Sequence, residues 1–459
     1  MDNYYPATSY YPEPMQQDSY DYDDIMARYL QEPTYLIPSY PGIIAIKNVL
    51  EIDMHIENGR VYPTTRALKE YITDHYRGSL CRISLWDWRR DQSVSSDPSQ
   101  LPPKLVQDLC ANLQFLYKHI SIWRDVRFDL PLLGVLAHHS PNDIANISRR
   151  PEHLRKLAIR EIDSANPQHS IAFNSLLDRL WNHMVETNLH FQDTGLPEFN
   201  FRRFPGFPYF KISELRLDML CSGAQVVHVL LMCPYLRKMV VTQLIGPQPR
   251  DSTKRIITPF LQHLTLENDN DSFNKGAANP YIGMIWAVLD KLIAPSLKEL
   301  SLGYEDVWNY GFDTFIGNSN CQLQKLRLIC IKMCDKDLYR ALKGNWYLEE
   351  LTVQGQSDQI YRGEPSDVVP FTNYLLEKMT DPGNGGCLCP NLQQLTLTYP
   401  SIEWSNQFRR MIRSRPSLRA VHIIKSRDVD PKDLRAFVDL ARARNGLFSV
   451  TLDGKPLKY

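Results

Sequence analysis

Apolar residues recur in one short pattern along most of the chain. A leucine is followed three residues later by a second apolar residue and two residues after that by a third, often with a proline ahead, as in APSLKELSL at 294–302, CPNLQQLTL at 389–397 and WYLEELTV at 346–353. The last two apolar positions alternate with a period of two, so they lie on the same face of a strand. Each occurrence therefore predicts a short strand that buries two side chains.

The pattern is repeated at a nearly regular interval. Its second apolar position falls at Leu157, Leu215, Met239, Leu264, Leu300, Leu326, Leu351, Leu395, Val421 and Val450. From Leu215 onward most intervals are 24 to 29 residues, and two are 36 and 44. Leucine-rich repeats have a period of about 20 to 29 residues. The gap of 58 residues before Leu215 has room for one more degenerate unit, and GSLCRISL at 78–85 is a candidate for an earlier one.

The stretches between the predicted strands have helical spacing. Apolar residues recur at three and four in AQVVHVLLM (224–232), DKDLYRALK (335–343) and SNQFRRMIRS (405–414). A single strand–helix unit cannot bury its apolar face alone, so neighbouring units stack and share one core. The sequence predicts an α/β leucine-rich-repeat solenoid, a curved horseshoe with a concave parallel sheet and convex helices. Its core should contain Leu264, Leu300, Leu326, Leu351 and Leu395.

Three regions are predicted. Residues 1–40 are rich in tyrosine and acidic residues and poor in aliphatic residues, which indicates a disordered tail. Residues 41–148 form an N-terminal capping or degenerate repeat region, and residues 149–459 form the solenoid. The open end of a solenoid must be shielded. Large aromatic side chains of the capping region are expected to do this: Trp86, Trp88, Trp123 and Phe128.

Composition narrows the class of protein. Hydrophobic residues make up 43% of the chain, which is enough for a folded core. Lys and Arg total 52, and so do Asp and Glu, so no global field attracts nucleic acid or anionic membranes. Nine dispersed cysteines suit reduced thiols, and neither a signal peptide nor a membrane span is predicted. We expect an intracellular protein, cytoplasmic or nuclear.

The strand residues that point away from the core carry hydroxyl groups and charges of both signs. This composition suits a protein partner held by polar contacts, although threonine and serine also simply suit exposed strand positions. Two aromatic residues just beyond one strand are predicted to be further anchors. The predicted partner-binding residues are Arg216, Lys238, His263, Thr265, Glu299, Ser301, Lys325, Arg327, Glu350, Thr352, Thr396, His422, Tyr304 and Trp308.

Motifs that carry catalysis are not found. The sequence contains no phosphate-binding loop, no His-Glu-x-x-His and no Gly-x-Ser-x-Gly. Two close cysteine pairs, Cys330 with Cys334 and Cys387 with Cys389, have no matching second pair nearby, so zinc is not expected. We predict neither an enzyme nor a cofactor. One arginine-rich stretch is either a solvated helix face or a contact for acidic groups; it contains Arg409, Arg410, Arg413, Arg415 and Arg419.

Several of these motifs together resemble a known family. ISIWRDVRFDLP from Ile120, CPYLRKMVV from Cys233, CQLQKLRL from Cys321 and LCPNLQQLTLTYP from Leu388 are similar to segments of the F-box and leucine-rich-repeat-like proteins of mushroom-forming fungi. The resemblance covers about residues 43–455. It rests on the order of the motifs and on their flanking prolines.

The resemblance implies an adaptor, in which an N-terminal F-box docks to a cullin-type ubiquitin ligase and the repeats hold its substrate. This sequence departs from that pattern, because no complete F-box precedes residue 43, and LPPKLVQDL from Leu101 followed by Trp123-Arg124 resembles one only superficially. A non-enzymatic protein-binding module is therefore the first hypothesis. The substrate-recognition subunit of a ligase, with its F-box missing or cryptic, is the second, and an uncharacterised enzyme is the last.

Overall fold

The structure of the chain is a computed structural model that describes the following residues: 41, 43–46, 49–75, 80–85, 89, 97–139, 151–161, 180–181, 187–193, 206–245, 255–268, 284–305, 308–355, 371–381, 386–398, 406–424, 438–439, 441–444, 449–452 and 455–456. The chain divides into two units, Met1–Tyr40 and Pro41–Tyr459, and every described residue belongs to the second. The predicted tail at residues 1–40 lies outside the described residues.

One long sheet dominates the described part of the chain. The strands are β1 (Ile43–Ile46), β2 (Val49–Asp53), β3 (His55–Glu57), β4 (Arg60–Tyr62), β5 (Leu80–Ser84), β6 (Trp123–Asp129), β7 (Lys156–Glu161), β8 (Thr187–Asp193), β9 (Ile212–Ser222), β10 (Lys238–Ile245), β11 (Ile256–Ile257), β12 (His263–Asn268), β13 (Leu292–Ile293), β14 (Glu299–Gly303), β15 (Lys325–Ile329), β16 (Glu350–Gln354), β17 (Gln394–Thr398), β18 (Ala420–Ile424), β19 (Ser449–Leu452) and β20 (Lys455–Pro456). Sixteen of them form the long sheet, side by side in chain order, while β3–β4 and β11–β13 are separate pairs.

Most of this sheet is parallel. Among the described residues, antiparallel pairs occur in it only at its two ends, β1 with β2 and β19 with β20. The strands from β2 to β19 in the sheet are parallel to their neighbours. Since parallel neighbours need a crossover connection between them, each strand of this kind must be followed by a segment that leaves the sheet and returns.

Helices fill many of these crossovers. They are α1 (Thr65–Lys69), α2 (Pro103–Lys118), α3 (Leu130–His139), α4 (Gly223–Met232), α5 (Met284–Lys291), α6 (Gly311–Ser319), α7 (Asp335–Lys343), α8 (Asn373–Met379) and α9 (Asn406–Ser414). The predicted helical stretches 224–232, 335–343 and 405–414 coincide with α4, α7 and α9. A capping box starts α4, where the Ser222 hydroxyl accepts from the Gln225 amide and the Gln225 side chain accepts from the Ser222 amide. The result is a mixed α/β fold.

One column of apolar side chains runs through all fourteen parallel strands in direct register. We call it the core column. Its members are at most 4% exposed: Ile52, Ile83, Val126, Leu157, Leu189, Leu215, Met239, Leu264, Leu300, Leu326, Leu351, Leu395, Val421 and Val450. All ten positions predicted from the repeat lie in this column. Leu189 fills the long gap before Leu215, and Ile83 comes from the candidate earlier unit.

A turn of constant geometry leads into many of these strands. The amide of the first leucine of the motif donates to the carbonyl three residues before it, for example Leu236 to Cys233 at 3.2 Å, Leu297 to Ala294 at 3.2 Å and Leu392 to Cys389 at 3.1 Å. These leucines are fully buried. The first leucine of each unit thus enters the core from the turn, as the pattern predicts.

Two aromatic residues do not shield an end of the sheet. Trp123 and Phe128 are buried in β6, and β5, β2 and β1 lie beyond β6 in the sheet. The capping role predicted for them is wrong, because residues 43–84 contribute three more strands to the same sheet. Trp86 and Trp88 lie outside the described residues.

The arginine-rich stretch also differs from expectation. Arg415 is 2% exposed, and its guanidinium donates to the carbonyl of Met379 at 2.6 Å, of Cys389 at 2.6 Å and of Leu388. It occupies the turn position where Cys389 stands one unit earlier, and it reaches the end of α8. A cation is favourable at a helix C-terminus. Arg415 therefore joins neighbouring units and is not part of a solvent-facing stripe.

Replacing Leu300 or Leu326 by alanine is expected to lower the free energy of unfolding by about 2 to 5 kcal/mol, because each change removes buried methyl groups and leaves a cavity. Thr352→Val, one position beyond the core column on β16, is the control and should shift that free energy by less than about 0.5 kcal/mol. Urea unfolding followed by circular dichroism measures all three. Near-normal stability of both leucine variants would contradict the register.

Candidate binding face

The side of the sheet opposite the core column carries two columns of mostly polar residues, which together we call the open face. The leading column directly precedes the core column on each strand: Glu51, Arg82, Asp125, Lys156, Asn188, Glu214, Lys238, His263, Glu299, Lys325, Glu350, Gln394, Ala420 and Ser449. The central column directly follows it: Asp53, Ser84, Arg127, Ala158, His190, Arg216, Val240, Thr265, Ser301, Arg327, Thr352, Thr396, His422 and Thr451.

The structure brings most of the predicted binding residues together on this face. Twelve of them lie in the two columns: Arg216, Lys238, His263, Thr265, Glu299, Ser301, Lys325, Arg327, Glu350, Thr352, Thr396 and His422. Ser301 is only 8% exposed there, so it forms part of the floor of the face and differs from the exposed residue that was predicted.

The two predicted aromatic anchors lie outside the open face. Trp308 is 9% exposed and packs against Trp286 and Phe312 of the helical layer, with ring centroids 5.0 and 5.2 Å apart. Its predicted role as an exposed anchor is wrong, since its neighbours on α5 and α6 enclose it. Tyr304 follows the last residue of β14 and is half-buried, with a φ of 59°. Burial raises the pKa of its hydroxyl.

In the C-terminal half of the open face, opposite charges lie next to one another along the leading column. The Glu299 carboxylate contacts Nδ1 of His263 at 2.8 Å and Nζ of Lys325 at 3.5 Å, and Lys325 also contacts Glu350 at 3.1 Å. Burial acts to raise the pKa of Glu299, but the hydrogen bond from His263 and the nearby positive charges outweigh it, so the pKa is lowered. Lys325 is thus shared by two carboxylates, Glu299 and Glu350, and His263 forms a hydrogen bond with the first of them.

A second cluster lies in the N-terminal half, on β8, β9 and β10. The Asp218 carboxylate lies 2.8 Å from Nε2 of His190 and accepts hydrogen bonds from Arg216 at 2.6 Å and from the Thr242 hydroxyl at 3.1 Å. Burial acts to raise the pKa of Asp218, but the hydrogen bonds and charges of His190 and Arg216 outweigh it and lower the pKa. Of this cluster, only Arg216 was predicted from the sequence as a binding residue.

An ion-pair bridge joins the first strands of the open face. Nη1 of Arg82 lies 2.7 Å from Glu51, and its Nε lies 3.0 Å from Asp125. These residues come from β2, β5 and β6, so the polar columns begin well before residue 149. The repeat pattern of this region is weak, and sequence reasoning therefore missed its part of the face.

The N-terminal half of the face encloses a groove of about 810 Å³ that extends from β1 and β2 to β10. Polar side chains of both columns line it, among them Arg82, Arg127, Lys156, Asn188 and Lys238. Two small or apolar residues of the central column, Ala158 and Val240, also line it. Because the groove crosses the strands from β1 to β10, it can accommodate an extended chain.

No model of a known protein family and no curated protein matches this sequence. Within the described ranges, there is no group of three or more His, Cys, Asp or Glu side chains that could hold a metal ion. None of the described helices is long and apolar enough to cross a membrane.

Asp218→Asn is expected to lower the free energy of unfolding by about 1 kcal/mol at pH 7, because charge-assisted hydrogen bonds to Arg216 and His190 are lost. The folded-state pKa of Asp218 is lowered, so its stabilisation is complete above the ordinary aspartate pKa and is lost as the pH falls through the folded-state value. The gap between wild type and variant should close on acidification. Urea unfolding from pH 7 to pH 3 measures it.

Glu214→Gln is the control for this experiment. Among the described residues, the Glu214 carboxylate forms no ion pair, so its replacement should leave stability nearly unchanged at pH 7. A gap for Asp218→Asn that stays constant down to pH 3 would contradict the role assigned to the carboxylate.

Proposed function

We propose that this chain is a leucine-rich-repeat solenoid that binds a protein partner on its open face and does not itself catalyse a reaction. Three features support the repeat architecture. The strands lie in the sheet in chain order, the same turn recurs before them, and the core column keeps one register throughout. Each unit then contacts mainly its neighbours, as repeat proteins do.

The observation that carries the binding function is the continuity of the two polar columns over fourteen parallel strands. With about 4.8 Å between neighbouring strands, the face extends over roughly 60 Å. A surface of this length exceeds what a small substrate needs. A face of this length can accommodate a protein partner, since protein interfaces bury about 800 Å² on each side.

The side chains on this face favour protein as the ligand. The central column carries hydroxyl groups on both sides of one positive charge, in the run Thr265, Ser301, Arg327, Thr352 and Thr396. The leading column beside it carries charges of both signs, on Glu299, Lys325 and Glu350. Arg327 is exposed and, among the described residues, has no ion-pair partner. Arginine is enriched in protein interfaces. We propose that Arg327 anchors the partner and that the neighbouring hydroxyl groups provide specificity.

The role of a ligase substrate-recognition subunit rests on the family resemblance alone. The stretch from Leu101 to Arg124, which superficially resembles an F-box, forms α2 and the start of β6. Leu109 and Leu116 of α2 and Trp123 of β6 are fully buried, so this stretch is used as a unit of the fold. No observation on the described residues favours the adaptor role over a stand-alone binding module.

Affinity purification of the tagged chain, with mass spectrometry of the proteins that accompany it, tests the proposal. We expect partner proteins to co-purify with the wild-type chain and to be lost from the face variant Arg327→Glu/Thr396→Glu. This variant removes the anchor and places negative charge on the face. A cullin adaptor among the captured proteins would support the ligase role.

The control variant, Arg410→Glu/Lys343→Gln, has the same change in net charge but lies on the exposed sides of α9 and α7. It should retain the partners at wild-type levels. If the face variant keeps every partner, or if both variants lose them equally, the open face is not the binding surface.

A further inference from the structure

The two halves of the open face differ in how their charges are balanced. In the C-terminal half, Glu299 lies between His263 and Lys325, and Lys325 is shared with Glu350. In the N-terminal half, three cations of the groove and one carboxylate, Glu214, form no ion pair within the described ranges. The groove therefore offers a ligand more unpaired cations than unpaired carboxylates. The leading column of the C-terminal half, by contrast, is paired from His263 to Glu350, and of the described residues there Arg327 of the central column stays unpaired.

Three carboxylates in or beside the groove are bound by cations of the chain. Arg82 contacts both Glu51 and Asp125, and Asp218 accepts from Arg216 and lies against His190. The hydrogen bonds and charges of His190 and Arg216 outweigh burial and lower the pKa of Asp218. Among the described residues, none of these three carboxylates forms an ion pair with Arg127, Lys156 or Lys238.

Three exposed cations of the groove remain without an acidic partner. Arg127, Lys156 and Lys238 line the groove, and within the described ranges none of them forms an ion pair. The three unpaired cations lie on β6, β7 and β10.

We infer that this groove binds an acidic, extended segment of the protein partner, an inference that rests on the proposed function of the open face. Lys156 and Lys238 share the leading column and are three strands apart, which is about 14 Å. In an extended peptide, residues i and i+4 point the same way and are about 13 Å apart. Two acidic residues with three residues between them can therefore contact both lysines.

The residues between the two lysines determine which side-chain charges are favourable in the middle of the bound segment. Asn188 and Glu214 separate them in the leading column, and the Glu214 carboxylate repels a negative charge placed above it. The same carboxylate, together with Asp125 and Glu51, disfavours the continuous phosphate backbone of a nucleic acid. An acidic peptide with an uncharged or basic middle fits the groove better than an oligonucleotide.

Selection of random twelve-residue peptides displayed on phage, against the full chain, tests this inference. We expect enrichment of peptides with two Asp or Glu residues four positions apart. The triple variant Arg127→Glu/Lys156→Glu/Lys238→Glu should raise the Kd of the selected peptides, measured by fluorescence anisotropy, at least tenfold. The control Lys343→Glu/Arg410→Glu/Arg413→Glu, with an equal charge change on α7 and α9, should stay within twofold of wild type.

A milder variant, Lys156→Gln/Lys238→Gln, keeps the test valid if charge reversal impairs folding, and it should weaken binding at least threefold. Three results would each overturn the inference but not the protein-binding function. They are selected peptides that bind the open face but carry no acidic pair, acidic peptides whose binding the groove variants do not change, and tighter binding of a labelled single-stranded oligonucleotide. Failure to select any peptide whose binding depends on open-face residues would overturn both.

Discussion

The register of the core column is the constraint on which the rest of the structure depends. Each parallel strand places one apolar side chain directly beside that of its neighbour, and a shift by one residue would turn the buried set of that strand toward solvent. Burial of leucine-sized side chains on fourteen strands opposes such a shift at every step. Apolar packing on one side of the sheet therefore fixes the register of its strands.

The alignment of open-face residues on neighbouring strands follows from that packing. Because the core column is in register, the residues before and after it must also be in register, whatever their chemistry. This places Glu299 between His263 and Lys325, and it places Lys156 and Lys238 on one line. The side chains of the face are therefore free to vary without loss of the fold, and their pairing decides which parts of the face are neutral and which remain charged.

The repeat made much of the fold predictable, because strand spacing and side-chain direction are local properties of the chain. Ten members of the core column and twelve residues of the open face were predicted from the pattern alone. Residues whose position depends on distant contacts were not. The burial of Trp308 needs Trp286 from another unit, and the burial of Arg415 needs the end of α8 and the preceding turn.

The N-terminal units show the same limit. Ile52 and Val126 occupy the core column, but their surroundings match the repeat poorly, so the groove that they help to form was not expected. The free cations of the groove could not be recognised either, since their lack of partners follows from which carboxylates Arg82 and Arg216 contact. The sequence predicts which residues lie on the face, whereas the structure is needed to see which of them form ion pairs.

Lysine footprinting of the full chain, free and in complex with a captured partner, tests directly whether the partner binds the open face. Lys156, Lys238 and Lys325 lie on the open face, while Lys343 and Lys378 are exposed on α7 and α8. We predict that the partner protects open-face lysines from an amine-reactive label and leaves the two helix lysines reactive. Protection of Lys343 and Lys378 with unchanged labelling of the open-face lysines would contradict the account.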